Sequence, residues 1–452
     1  MHRIVIVGGG YAGFYAAWKL EKHLRRNEAE VILIDPRSYM TYQPFLPELA
    51  AGSVEARHVA VSYRRHLKRT RIVAGRVTFV DHAHKRITLE HADGTPDSLA
   101  YDTVVLTAGA VTRTFPVPGV ARAAIGFKTI EEAVYVRDTL IGNLEKAAST
   151  PPGPARDRLL TVVFVGGGFA GIEAFGELRS MTTALLERYP ELTMADTHFH
   201  LIEATGRVLP EVSERTSTWV RHHLAERGAF VHLHTQVDSA VDGRVVLSDG
   251  QVLETELLVW TAGVVANPLV TRHTDLPIDA RGRVSVRPDL RVGTPDRIYD
   301  GAWAAGDDAA VPDLTGAGVG ATPTEPGTTV PNAQHAVRQG KLLAKNIVRA
   351  LRGGTPENYR HHNLGSVATL GLGDGVFQSG PIVVTGFPAW LMHRGYHVLA
   401  IPSWERTWRV AAGWLSNLAW GRDAIELHEI RAPRSAFEEA SAPPPRRLPM
   451  AS

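Results

Sequence analysis

An α/β fold is predicted for this chain of 452 residues by three observations. A glycine-rich strand–turn–helix pattern occurs twice. An apolar strand ending in Thr-Ala-Gly follows each copy. Five of the nine Trp lie between Trp390 and Trp420, on a stretch with helical rather than strand periodicity.

Ile4 to Val7 form an all-apolar run of the kind found in a strand buried on both faces. Gly8, Gly10 and Gly13 follow in G-x-G-x-x-G spacing, then an amphipathic helix through Phe14, Ala17 and Leu20. Val31 to Ile34 form the next strand, which ends in Asp35. This is the pattern of a Rossmann-like dinucleotide-binding unit. The glycines let backbone N–H groups approach a pyrophosphate, the helix N-terminus favours that anion, and Asp35 is placed to accept hydrogen bonds from ribose hydroxyls. The second copy has Gly166, Gly168 and Gly171 after TVVFV, and a partner strand ending in Glu203. Its longer spacing fits extra helix in 178–196. A carboxylate at Glu203 accepts from a ribose 2′-hydroxyl and repels a 2′-phosphate, with Arg207 nearby as a counterweight. The strands LAYDTVVLTAGA and ELLVWTAGV end at Gly109 and Gly263, where a small residue lets the chain pass close to a nucleotide. A polar, hairpin-like stretch precedes each. RIYDGAWAAGDDAA runs into Gly306-Asp307.

Composition narrows the function classes. Hydrophobic residues at 44% and charged residues at 21% suit a globular protein with a sizeable core. A net charge of +2 makes no case for nucleic acid as the main ligand. Cysteine is absent, which removes disulfides, Cys-ligated zinc, iron–sulfur clusters, Cys nucleophiles and dithiol redox chemistry. No metal site is expected. His222-His223 and His361-His362 are read as solvated surface pairs. The apolar strand starts at residue 4 with no basic segment before it, and no run of about 18 apolar residues is found, so a cytoplasmic chain without a spanning helix is expected.

Two glycine fingerprints, two Thr-Ala-Gly strands and a late Ala-Ala-Gly-Asp resemble the FAD-dependent pyridine-nucleotide oxidoreductases, whose fold is glutathione-reductase-like. The resemblance covers about residues 1–345. It implies FAD on Gly8, Gly10, Gly13, Asp35, Gly109, Gly306, Asp307, Ala333 and Gln334. It implies NADH on Gly166, Gly168, Gly171, Glu203 and Gly263. The implied organisation is a discontinuous FAD domain (1–112 and 281–345), an NADH domain (155–265), a C-terminal region (346–431) and a disordered tail (432–452). Without cysteine, disulfide reductases and sulfide:quinone oxidoreductases are excluded. YQPFLPELAAG, Glu173 directly after the second fingerprint, and PNAQHAVRQGKLLAKNI resemble instead the type II NADH dehydrogenases, which pass electrons from NADH to a quinone. In that family the Glu lies near flavin and nicotinamide, and the Ala-Gln helix start sits at the flavin beside the quinone. Where the family carries a second Gln four positions on, this chain has Arg338, followed by Gln339. Glu173, Gln334 and Arg338 are therefore the catalytic candidates, with Glu173 also readable as an acid stabilised by its helix N-terminus.

PSWERTWRVAAGWLSNLAWG has Ser403 as N-cap and Gly421 as stop. Trp404, Trp408, Ala411, Leu415, Leu418 and Ala419 share one face, with Arg and Glu opposite. Such a face suits a membrane interface or the protein's own core. The resemblance favours membrane contact through about 386–430, a menaquinone or ubiquinone acceptor, and a peripheral enzyme on the cytoplasmic face of the cell membrane. A homodimer is left open, as are a soluble acceptor and a non-catalytic NADH-sensing flavoprotein.

Overall fold

Strands covered on both faces have no solvent side to alternate with, so apolar β-branched runs form the centre of each sheet. The structure, a computed structural model, describes residues 1–315, 318–320, 327–361, 363–423, 425–427, 434–435 and 437–438. The expected disordered tail lies, apart from those last positions, outside the described residues. The first sheet runs in the order Arg291–Gly293, Ile298–Ala304, Thr103–Leu106, His2–Val7, Ala29–Asp35, Arg71–Asp81, Arg86–His91 and Pro96–Ala100. Its middle is parallel, with Ile4 between Val31 and Thr103. Ile298–Ala304 pairs in parallel with Thr103–Leu106, so segments far apart in sequence share one sheet. The second sheet is parallel throughout, in the order Ala124–Gly126, Leu257–Trp260, Thr161–Val165, His198–Ile202 and Ala229–His232. It takes in Ala124–Gly126, upstream of the 155–265 span read from the motifs. The hairpin-like stretches form antiparallel pairs, Arg71–Asp81 with Arg86–His91 and Val237–Val241 with Arg244–Leu247.

The helices that build the sites are α1 (Tyr11–His23), α2 (Leu46–Ala50), α3 (Ile130–Ala148), α4 (Phe169–Leu186), α5 (Ala333–Leu351), α6 (Phe387–Ala400) and α7 (Trp404–Trp420). Each of α1 and α4 starts one residue after its middle fingerprint glycine, Gly10 and Gly168. A capping box starts α3, with the Thr129 hydroxyl and the Glu132 carboxylate each accepting the other's backbone N–H. Helices α1 and α5 meet at Gly340, where a Cβ would run into the Ala12 backbone.

Between α5 and α6 stands an antiparallel sheet of Ser366–Gly371, Asp374–Ser379 and Ile382–Thr385. It lies within the C-terminal region 346–431, where no fingerprint marks its strands. It packs on α4 where Gly176 lies against the Leu370 backbone. Helix α7 runs between Ser403 and Gly421 (φ +80°), but the Ser403 side chain makes no capping hydrogen bond. The apolar face of α7 does not pack on the protein's own core. Trp404, Trp408, Leu415 and Leu418 are 64–80% exposed. No helix among the described residues is long and apolar enough to cross a membrane.

The α1–α5 contact depends on a missing side chain. Gly340→Ala should push the helices apart and cost about 1–3 kcal/mol of stability. Chemical denaturation monitored by near-UV circular dichroism checks this. An unchanged midpoint would contradict the close packing.

Candidate functional site

Val7 ends the first strand, and Gly8 turns the chain at φ +95°. A Cβ on Gly13 would overlap the Gly8 carbonyl oxygen, so this position has to be glycine for α1 to start so close to the strand. The Thr107 hydroxyl braces the turn, donating to the carbonyls of Val7 (3.0 Å) and Gly8 (2.9 Å). Asp35 accepts the Gly9 amide at 2.6 Å and the Arg37 amide at 2.8 Å. Burial raises the Asp35 carboxyl, and those two amides oppose the rise. Tyr63, fully buried, donates to the Gly9 carbonyl at 2.9 Å.

These residues open onto a cavity of about 960 Å³, at the upper end of small-molecule sites. Gly8, Gly10, Asp35, Gly109, Gly306, Asp307 and Ala333 all line it. Tyr11, Gln43 and Lys128 line it too, and Lys128 Nζ lies 3.9 Å from Asp307. The Gln43 side chain donates to the Lys128 carbonyl at 3.3 Å. Gln334 and Arg338 are not among the lining residues. Arg338 Nη1 lies 3.0 Å from His361 Nδ1, and the His361 ring sits 4.0 Å from that of His335. His361 is thus packed rather than solvated, as is His223, which pairs with Asp374 and stacks on Trp219. His222 is exposed, and His362 lies outside the described residues. Gln339, the next residue, is buried and accepts the Gly306 amide at 2.8 Å.

The second turn repeats the first. Gly166 has φ +111°, and a Cβ on Gly171 would overlap its carbonyl oxygen. The Thr261 hydroxyl donates to the carbonyls of Val165 (2.9 Å) and Gly166 (3.0 Å). Glu203 accepts the Gly167 amide at 2.6 Å and the Thr205 amide at 2.7 Å, in the manner of Asp35. Arg207 is engaged with the Pro210 carbonyl at 2.6 Å. At Gly10 and Gly109 in the first unit, and Gly168 and Gly263 in the second, a Cβ would meet nothing within 4 Å. Both turns are therefore open on the ligand side, with a helix N-terminus and an adjacent carboxylate, which fits FAD in the first and NADH in the second. Among the described residues no group of His, Asp or Glu is arranged to hold a metal ion.

Glu173 lies in a buried charged cluster that the sequence did not reveal. Its Oε1 is 2.9 Å from His393 Nε2 and accepts the Thr369 amide at 3.3 Å. Burial pushes Glu173 up to about 8, helped by Glu177, and pushes His393 down to about 4. Burial thus favours the uncharged form of both side chains. Arg394 donates to Glu48 at 2.9 Å and lies 3.5 Å from Glu177. Arg422 donates to Glu177 at 3.2 Å. Trp414 Nε1 donates to Glu48 at 3.1 Å, and the Arg394 guanidinium lies over the rings of Trp390 (4.6 Å) and Trp414 (4.9 Å). Burial raises Glu48 to about 7 against the pull of Arg394. The advance signal was the spacing of Glu173 and Glu177, one turn apart in the apolar first half of α4.

A family model for the pyridine nucleotide-disulphide oxidoreductases matches residues 2–340. The chain is 28% identical over 414 residues to the type II NADH:quinone oxidoreductase Ndh of Mycobacterium tuberculosis, covering 88% of this chain and 84% of that protein. It is 27% identical over 425 residues to the demethylphylloquinone reductase NdbB of Synechocystis, covering 92% and 96%. The solved structure of NDH2 from Plasmodium falciparum in complex with NADH superimposes with a TM-score of 0.84 at 19% identity, covering 94% of this chain and 99% of that one.

Arg394→Ala would leave two fully buried carboxylates, Glu48 and Glu177, short of a guanidinium. A stability loss of about 3–5 kcal/mol is expected, against less than about 1 kcal/mol for Arg409→Ala on the exposed Glu405 pair. Urea unfolding of both variants checks the contrast, and equal losses would contradict it.

Proposed function

The chain belongs to the pyridine nucleotide-disulphide oxidoreductase family, and we propose that it works as a type II NADH dehydrogenase, passing two electrons from NADH through FAD to a quinone. The observation that carries this reading is the pair of matched glycine turns, each with its own strand-end carboxylate, in a chain with no cysteine for a dithiol relay. The flavin, when bound, supplies hydride acceptance and onward two-electron transfer. The protein's part is to bind and orient. In this reading the Gly8–Gly13 turn and the start of α1 hold the FAD pyrophosphate, Asp35 its ribose, and Gly306-Asp307 the ribityl and phosphate region. The Gly166–Gly171 turn, Glu203 and Gly263 hold NADH. Gln334 and Arg338, at the start of α5, meet the acceptor, while Glu173 serves the nicotinamide side from its seat against His393. The FAD unit is 1–112 with 281–345. The NADH unit is 155–265, to which we add the strand Ala124–Gly126.

A quinone with an isoprenoid tail resides in the bilayer, so a chain with no spanning helix among its described residues has to dock on the surface to reach it. We assign that contact to about 386–430, on the cytoplasmic face. The exposed Trp and Leu of α7 continue into Phe387, Leu391 and Leu399 of α6, each at least 56% exposed. Arg65 and Arg409 flank them through Glu405, at 2.8 and 2.7 Å. Aromatic rings at headgroup depth, with arginines toward anionic lipid, supply the attraction.

Steady-state NADH oxidation with menaquinone, ubiquinone and a soluble dye tests the reading. Quinone turnover no faster than the uncatalysed background would overturn it. Trp404→Ser with Trp408→Ser should abolish most vesicle binding and cut quinone turnover about tenfold, leaving dye reduction within twofold. Deleting 386–452 is a poor probe, since it unpairs Glu48, Glu173 and Glu177.

The Glu203 carboxylate should favour NADH over NADPH. A charge-assisted hydrogen bond is worth about 1.5–3 kcal/mol, so kcat/KM should differ about tenfold or more. Glu203→Ser should narrow the gap, and equal constants in the wild type would contradict the assignment.

A further inference from the structure

The turn that carries Gly306 and Asp307 holds a second carboxyl, Asp308, for which the binding scheme above has no use. Asp308 is fully buried. Its Oδ2 accepts the Ala108 amide at 2.6 Å, and its Oδ1 has no hydrogen-bond partner. No ion pair reaches it among the described residues. Asp307 is the neighbouring charge on its own turn, and Lys128 faces Asp307 at 3.9 Å. Helix α1 contributes Tyr11, whose hydroxyl accepts the Gln43 amide. Helix α5 contributes Gln339 and His335, the latter held by Tyr359 at 3.0 Å. The strand end at Thr107–Gly109 and the paired stretch Val284–Ser285 bring no charge.

The position matters because of what lies in front of it. Gly306, Asp307, Ala12, Ala108 and Gly109 line the cavity, and a Cβ on Gly306 would stand 4.0 Å from Asp308 Oδ1. The far side of this wall is the cradle for an anionic pyrophosphate. An ionised Asp308 would place a second negative charge behind it, fully buried and with no cation paired to it among the described residues. A carboxylic acid avoids this, because it keeps its acceptor for the Ala108 amide and adds an O–H on the unpartnered oxygen.

We propose that Asp308 is a positioning residue that acts as a neutral acid, pinning the Ala108–Gly109 wall to the Gly306–Asp307 turn so that FAD is held only while Asp308 keeps its proton. The proposal rests on the assignment of FAD to this cavity. Burial pushes Asp308 up to about 8, reinforced by Asp307 and opposed by the backbone amides of Ala108, Asp308 itself and Gly109. The neutral form therefore prevails below that value and is lost as the pH rises through it.

FAD rebinding to deflavinated full-length protein, followed by quenching of flavin fluorescence at pH 6.5 and pH 9, tests this. At about one pH unit above the carboxyl's value roughly one molecule in ten stays neutral, so wild-type affinity should weaken about tenfold. Asp308→Asn stays neutral and keeps the acceptor, so it should bind FAD like the wild type at pH 6.5 and vary by less than twofold to pH 9. Asp308→Ala should bind more weakly at both. Asp307→Asn removes the neighbouring like charge and should move the midpoint of the slope to lower pH. A flat wild-type profile, a wild-type slope in Asp308→Asn, or an unmoved midpoint in Asp307→Asn overturns the proposal. Failure to bind flavin at any pH instead overturns the FAD assignment itself.

Discussion

Gly13 and Gly171 each lie so close beneath a carbonyl oxygen, that of Gly8 or Gly166, that no Cβ fits between helix and strand. This exclusion sets where α1 and α4 begin. With the helix starting directly at the strand end, its first unpaired N–H groups face outward over the turn. Thr107 and Thr261 hold that geometry from the next strand, each bridging two carbonyls. Asp35 and Glu203 hold it from the other side through the amides of Gly9 and Gly167. A carboxylate beside such a turn is tolerable because each accepts two backbone N–H groups.

The C-terminal third is fixed by a different kind of constraint. Glu48 of α2, Glu173 and Glu177 of α4, His393 and Arg394 of α6, and Arg422 all sit in one buried cluster. Buried ion pairs are weak net stabilisers, yet losing one partner is severe. The cluster therefore ties four segments into one arrangement more than it adds stability. It places α6 and α7 beside the segment 42–50, whose Gln43 lines the large cavity, while leaving their outer faces bare. The same helices thus face charge on one side and an apolar exterior on the other.

Asp308 and Glu173 carry a shared physical lesson. Each is an acid that burial pushes toward its neutral form, and each lies at a junction between separate chain segments. Neutral acids can donate and accept at once, which suits them to joints near an anionic ligand or within a crowded charge cluster.

Much of this was legible in the sequence because it is local. The glycine spacing, the acid after each second strand, the Thr-Ala-Gly ends, and the span of α7 between Ser403 and Gly421 all follow from contacts within a few residues or from periodicity. Helical phase also says which residues share a face of α7. It does not say what that face meets, and only the tertiary structure shows Trp408 outside while Trp414 turns in to Glu48. The same limit applies to partners distant in the chain. Asp308 and the Ala108 amide are 200 positions apart, and His223 and Asp374 are 151 apart. Nothing local distinguishes a histidine bound for solvent from one bound for a hairpin that has yet to fold onto it. The sequence alone determined the two nucleotide-type turns, since steric exclusion at a glycine is a property of its neighbours. The tertiary structure decided which charges are buried together, since a side chain's electrostatic surroundings exist only once distant segments have met.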